Sequence, residues 1–151
     1  MPGSTDSLRE VLAGPVLDVA PRLLGAILRH DGVAVRITEV EAYDGANDPG
    51  SHAFRGPTRR NEVMFGEAGH LYVYFSYGMH WCGNIVTGPD GEASAVLLRA
   101  GRVVVGEDLA QERRGERVPR RALARGPAFL AQALGIDKAC NGADLIEGGS
   151  P

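Results

Sequence analysis

The stretch HLYVYFSYGMHWCGNIVTGPDGEASAVLLRA, residues 70–100, decides the fold class. Three runs rich in aromatic and β-branched residues, 71–76, 81–87 and 93–100, are separated by Tyr77-Gly78-Met79-His80 and Gly88-Pro89-Asp90-Gly91. Runs of this kind between Gly- and Pro-bearing turns read as strands, and their succession predicts an antiparallel meander. Alternation sets Tyr72 and Tyr74 on one face, with Val73, Phe75 and Tyr77 on the other. Core packing accounts for Val73 and Phe75. Tyr77, beside a glycine at a hairpin tip, is either a structural hairpin aromatic or an exposed ring able to wedge between stacked bases.

Upstream, two further strands are expected at 25–30 and 33–43, joined through Asp31-Gly32, a hairpin-type turn. In the second, Val33, Val35 and Ile37 share one face, and unbroken alternation carries Glu39, Glu41 and Tyr43 onto that same face. Two carboxylates on the apolar side of a strand are unusual. Either a bulge flips the alternation, or the strand runs out of the core into a cleft that uses them. Asp18 is expected to cap a short helix through Leu23 and Leu24, with Pro21 in its first turn. Residues 44–69, rich in Gly, Pro, Asn and Arg, read as one long loop, a kind of segment more often functional than idle. Downstream, 107–114 looks helical, the Arg-rich 113–125 run exposed, and Gly126-Pro127 breaks the chain before a helix near 129–134. Residues 141–151 have little apolar content. The fold class expected is α/β of the α+β type: one domain over 1–151, with a curved, mainly antiparallel sheet, short helices and a protruding β-hairpin.

A hydrophobic content of 44% suits a chain that buries a core, and no apolar run approaches the length of a membrane span. Met1-Pro2-Gly3-Ser4-Thr5-Asp6 lacks the basic and apolar regions of a signal peptide, and Cys82 and Cys140 have no paired spacing; both point to the cytoplasm. Net charge is −3 but unevenly spread. Residues 1–51 hold four arginines against eight acids, 52–125 eleven arginines against eight acids, and 126–151 one lysine against three acids. A cationic middle can present one basic face to nucleic acid while the total stays negative; solvated surface arginines are the plainer account. Fifteen of the sixteen cationic residues are Arg, so Lys138 is the only lysine available to Schiff-base chemistry.

Chemistry centres first on Glu41-Ala42-Tyr43, followed by His52. A carboxylate held against an apolar surface can act as a general base, and a neighbouring tyrosine offers a stacking plane for a flat ligand. The structural account is that Glu41 pairs with one of the many arginines while Tyr43 packs. His52, His70 and His80 with Cys82 match no metal-ligand spacing, and the chain carries neither a phosphate loop nor a serine elbow. No metal and no cofactor is expected.

Taken together, VEAY at 40–43, SHAFRGPTRRNEVMF at 51–65 and GHLYVYFSYGMHWCGN at 69–84 resemble the alkyladenine (3-methyladenine) DNA glycosylases in their bacterial form. LLRA at 97–100, RGP at 125–127 and ALGI at 133–136 follow in order, so the likeness runs from about Leu23 to Ile136. The resemblance implies a base-excision repair hydrolase acting on double-stranded DNA with damaged purines: 3-methyladenine, 7-methylguanine, hypoxanthine and ethenoadenine. It makes Glu41 the base that activates water, with Arg99 near that water. It assigns Tyr43, His52, Tyr74, Asn84 and Leu97 to the pocket for the flipped base, and Tyr77 to the gap left in the duplex. Arg59 and Arg60 are expected to hold phosphates. A water nucleophile implies a monofunctional enzyme with no lyase step, and family likeness implies a monomer, associated with the nucleoid.

Two departures accompany the likeness. Ala128-Phe129 stands where the family commonly has a small residue followed by Lys or Asn, and the family's further C-terminal strands are not found before Pro151. The second departure raises the competing expectation of a catalytically weak DNA-damage binder. A third reading, a glycoside or nucleoside hydrolase using Glu39 and Glu41 as its pair, fits poorly, because same-face neighbours on one strand do not flank a substrate.

Overall fold

In the computed structural model the described residues are 5–44, 62–76, 80–89 and 91–146. Two helices, α1 (Thr5–Leu12) and α2 (Val16–Leu23), precede five strands: β1 (Ile27–His30), β2 (Val33–Asp44), β3 (Leu71–Ser76), β4 (His80–Thr87) and β5 (Ser94–Val105). Helices α3 (Glu107–Arg114) and α4 (Pro127–Leu134) follow. The strands form one sheet in the order β1-β2-β5-β4-β3, antiparallel throughout, which is the α+β arrangement the sequence predicts. Asp31 (φ 45°) and Gly32 (φ 85°) both adopt the positive φ of the tight turn that matches strand twist between β1 and β2.

The helices gather on one face. Leu12, Val16, Val19, Leu23, Ala110, Leu130 and Leu134 pack with Val33, Val35, Ile37, Val73, Ile85, Val96, Leu98 and Val103 into the main core. The opposite face carries a second, smaller cluster of Met64, Tyr72, Val86, Ala93 and Ala95, with Tyr43 and Tyr74 against it. No helix among the described residues is long and apolar enough to cross a membrane.

Several local expectations need correction. Helix α2 begins at Val16 rather than beyond Asp18, and Pro15, not Asp18, stands at its N-cap, accepting from Asp18 N–H (2.9 Å) and Val19 N–H (3.0 Å). The apolar stripe Val16–Val19–Ala20–Leu23 sets that start, because it is the face buried against the sheet. Strand β5 continues past Arg102 to Val105, carried by three consecutive valines. Phe75 is 36% exposed and stacks on its cross-strand partner Trp81 (ring centroids 4.7 Å apart) at the surface end of β3, so it is not a core residue.

The alternation of β2 is reset by a bulge. Ile37 pairs with Gly101 and Glu39 with Ala100, leaving Thr38 as an extra residue on β2. Before it, Val33, Val35 and Ile37 face the main core; after it, Val40 and Ala42 do. Of the two ways to accommodate the carboxylates, the chain uses the bulge, which turns Glu39, Glu41 and Tyr43 to the face away from the helices. A compensating bulge follows on β5, where Val40 pairs with Leu98 and Arg99 is the extra residue. Beyond Leu97 the pairing of β5 with β4 ends, and residues 124–125 take up the ladder. Gly101 N–H donates to Ala124 O (2.8 Å) and Ala100 bridges Arg125.

Candidate active site

Register brings together residues that are far apart in sequence. Glu41 lies opposite Leu97, Leu97 opposite Asn84, and Asn84 opposite Tyr72, so these four side chains form one transverse row across β2, β5, β4 and β3. Tyr43 and Tyr74 stand two residues from this row, on β2 and β3, on the same face. Tyr43, Met64, Tyr72, Tyr74 and Asn84 line a recess, with the Tyr72 and Tyr74 rings 5.7 Å apart. Asn84 is buried and donates from Nδ2 to Tyr72 O (3.3 Å), which fixes the orientation of its amide.

Glu41 occupies the end of the row. Its Oε1 accepts from Tyr43 Oη (2.7 Å) and from Arg99 Nη1 (3.4 Å), while its Oε2 accepts no hydrogen bond among the described residues. Arg99 also donates from Nε to Glu39 Oε2 (2.8 Å). Glu41 is partly exposed (39% of its side chain) rather than pressed against an apolar wall, and it does pair with an arginine. The arginine and the tyrosine share one carboxylate oxygen and leave the other without a hydrogen bond among the described residues.

Tyr74 and Cys82 are direct cross-strand partners. Burial, and then the neighbouring Cys82 and Tyr43, holds the Tyr74 hydroxyl above its ordinary range; burial also raises the Cys82 thiol. Both groups therefore stay protonated in the folded chain at pH values where the unfolded chain has lost the protons. The unfolded chain then binds fewer protons, so stability falls as pH rises, from about 8.5 for the thiol and about 10 for the phenol. Melting temperature measured between pH 7 and 11 is expected to drop across this window, and Tyr74→Phe to flatten the part above pH 10. An unchanged profile in the variant would remove Tyr74 as a cause.

Of the other expected site residues, His52, Tyr77, Arg59 and Arg60 lie outside the described residues. His70 and His80 sit in different surroundings, His70 bonded to Gly142 O (3.0 Å) and His80 edge-on to Phe129 (6.4 Å). Among the described residues no three His, Cys, Asp or Glu side chains gather as a metal site would need. Phe129 is exposed and carries the Arg114 guanidinium over its ring, 3.9 Å from the centroid. Met64 and Tyr72 were not assigned to the pocket from sequence. The shared alternation of Tyr72 and Tyr74 was a signal for the first; Met64 sits in a one-turn 3-10 helix (Glu62–Phe65) and carries no periodic signal.

The sheet thus carries α1–α4 on one side and a carboxylate–arginine–tyrosine cluster with an aromatic recess on the other, and comparison supplies the family. The family model for methylpurine-DNA glycosylase (MPG) matches residues 10–151, and the chain belongs to that family, within the DNA glycosylases of base-excision repair. A protein of Leifsonia xyli subsp. xyli named "Putative 3-methyladenine DNA glycosylase" is 60% identical over 147 residues, covering 91% of this chain and 69% of its own length. A protein of the same name from Streptomyces avermitilis is 56% identical over 154 residues, covering 98% of this chain and 72% of its own.

Proposed function

We infer that the chain hydrolyses the N-glycosidic bond of damaged purines flipped out of duplex DNA, with Glu41 activating the attacking water. The observation that carries this reading is the division of labour on Glu41, two residues from the recess-lining Tyr43: Oε1 is held by Tyr43 and Arg99, and Oε2 accepts no hydrogen bond among the described residues. Water bound at Oε2 gives its proton to the carboxylate as its oxygen bonds to C1′, and the C1′–N bond breaks with its electrons leaving on the purine. The carboxylate also faces the positive charge that develops on the sugar. Alkylation at N3 or N7 already makes the purine a good leaving group, whereas neutral hypoxanthine must be protonated as it leaves.

Extrusion costs least for damaged or mispaired bases. Tyr43 and Tyr74, with His52, sandwich the flipped base, Leu97 lines the same region, and Asn84 crowds the 2-amino group of normal guanine. Tyr77 fills the gap in the stack. The nucleophile is water, so no lyase step follows. Lys138, the one lysine, lies in a turn whose Cys140 packs into the main core, on the face opposite Glu41.

The test is single-turnover release of free base from duplexes carrying hypoxanthine or ethenoadenine, beside methylated DNA. The expected result is release of modified purine, leaving abasic sites that break only on alkali. Strand breakage without alkali would contradict the water mechanism, and lesion-selective binding with no release would favour the damage-binding reading.

A further inference from the structure

The face that carries Glu41 continues along β2 and β5 toward β1, and arginines line it. Arg36 lies between the core-facing Val35 and Ile37, and Arg102 between Gly101 and the core-facing Val103, so both point away from the helices. They are direct cross-strand partners. Arg29 on β1, flanked by the inward-leaning Leu28 and His30, lies on the same face opposite Ala34. Arg125 follows the core residue Ala124 and bridges Ala100, which puts it in one row with Glu39.

All four are exposed, and none makes an ion pair with a carboxylate among the described residues; Arg36 donates only to Gly25 O (3.3 Å). The carboxylates that share this face, Glu39 and Glu41, are both engaged by Arg99, and Asp31 at the β1–β2 turn is engaged by Arg113 (3.0 Å). Like charges directly opposite on neighbouring strands destabilise a sheet. The Arg36–Arg102 pair carries that cost with nothing in the described chain to relieve it.

We propose that Arg29, Arg36, Arg102 and Arg125 form a phosphate track that grips duplex DNA on one side of the lesion. The proposal rests on the reading that the flipped nucleotide faces Glu41. Arg102 is five residues along β5 from Leu97, one of them a bulge residue, so it lies roughly 15 Å from the Glu41 row. That is about four base steps at ~3.4 Å per charge on one strand. Arginine forks match phosphate oxygens, and an anionic backbone relieves the repulsion between Arg36 and Arg102.

The experiment compares wild type with R36Q/R102Q, measuring affinity for a hypoxanthine duplex and for an undamaged duplex over a range of KCl. Two lost phosphate contacts should make the slope of log K against log salt shallower by about 1.8, equally on both duplexes. Melting temperature at low salt should be equal or higher. R22Q, a change on exposed α2 behind the sheet, should leave the slope as in wild type. Trimming the duplex to fewer than about four base pairs from the lesion should cost wild type affinity on one side only. An unchanged slope in R36Q/R102Q overturns the track even if wild type excises normally. Failure of wild type to release any base overturns the catalytic reading instead, while the slope on undamaged duplex still judges the track.

Discussion

Glu41→Gln is expected to lower single-turnover base release by about 10²- to 10⁴-fold, the range a positioned general base contributes, with lesion affinity retained. The amide keeps the volume of the carboxyl group and an oxygen that accepts from Tyr43, so the hydrogen bond of 2.7 Å survives while the capacity to take a proton from water is lost. Removing one negative charge beside DNA should not weaken binding, which is why affinity and rate separate in this variant. Glu39→Gln is the matched comparison. Glu39 shares Arg99 with Glu41 but its side chain is 59% exposed and its one described partner is that arginine, so a smaller loss is expected. Release by Glu41→Gln at a rate close to wild type would remove Glu41 from the reaction; equal losses in the two variants would mean that Arg99 positioning, not proton transfer, is what both disturb.

The largest expected effect on stability is at Gly106. It ends β5, stands at the N-cap of α3 with φ 74°, and a β-carbon there would overlap the carbonyl oxygen of Gly32 in the turn between β1 and β2. The obstructing atoms are backbone, so they yield only by opening that turn. Gly106→Val should therefore cost more than ~4 kcal/mol, against a typical total of about 5–15 kcal/mol, and leave little folded protein. Gly25→Ala separates the two causes. Gly25 also has a positive φ (87°) but nothing lies within 4 Å of an added β-carbon, so only the backbone strain of about 1–2 kcal/mol is expected. Urea unfolding of both variants gives the comparison. Equal costs would show that conformation, rather than close approach, decides Gly106.

The elements were legible where short-range chemistry sets them. Asp31-Gly32 announced its turn, the aromatic and β-branched runs announced β3 and β4, and Glu107–Arg114 proved to be α3 end to end. The bulge at Thr38 was not legible, because nothing in that residue distinguishes it from a paired one. Its trace was indirect: two carboxylates on what alternation made the apolar side. The pairing of Leu97 with Asn84 and Glu41 was equally hidden, since register between strands depends on packing and bulges rather than on any local pattern. Family likeness named those residues; the sheet explains why they meet. The Arg36–Arg102 juxtaposition was likewise invisible, because cross-strand neighbours 66 positions apart are set by the same register.

Keeping helices α1–α4 on one side of the sheet divides the strand positions between two demands. Among the described residues the main core, on the side of α1–α4, carries most of the buried apolar side chains, while the opposite side holds the smaller cluster around Met64 and Tyr72. Because β-strand side chains alternate, neighbouring positions on a strand answer to different demands: Val96 and Leu98 to folding, Ala95 and Leu97 to whatever lies against the open face. A substitution at one strand position is therefore expected to disturb either folding or the fit of what lies against the open face, while its neighbour on the strand disturbs the other.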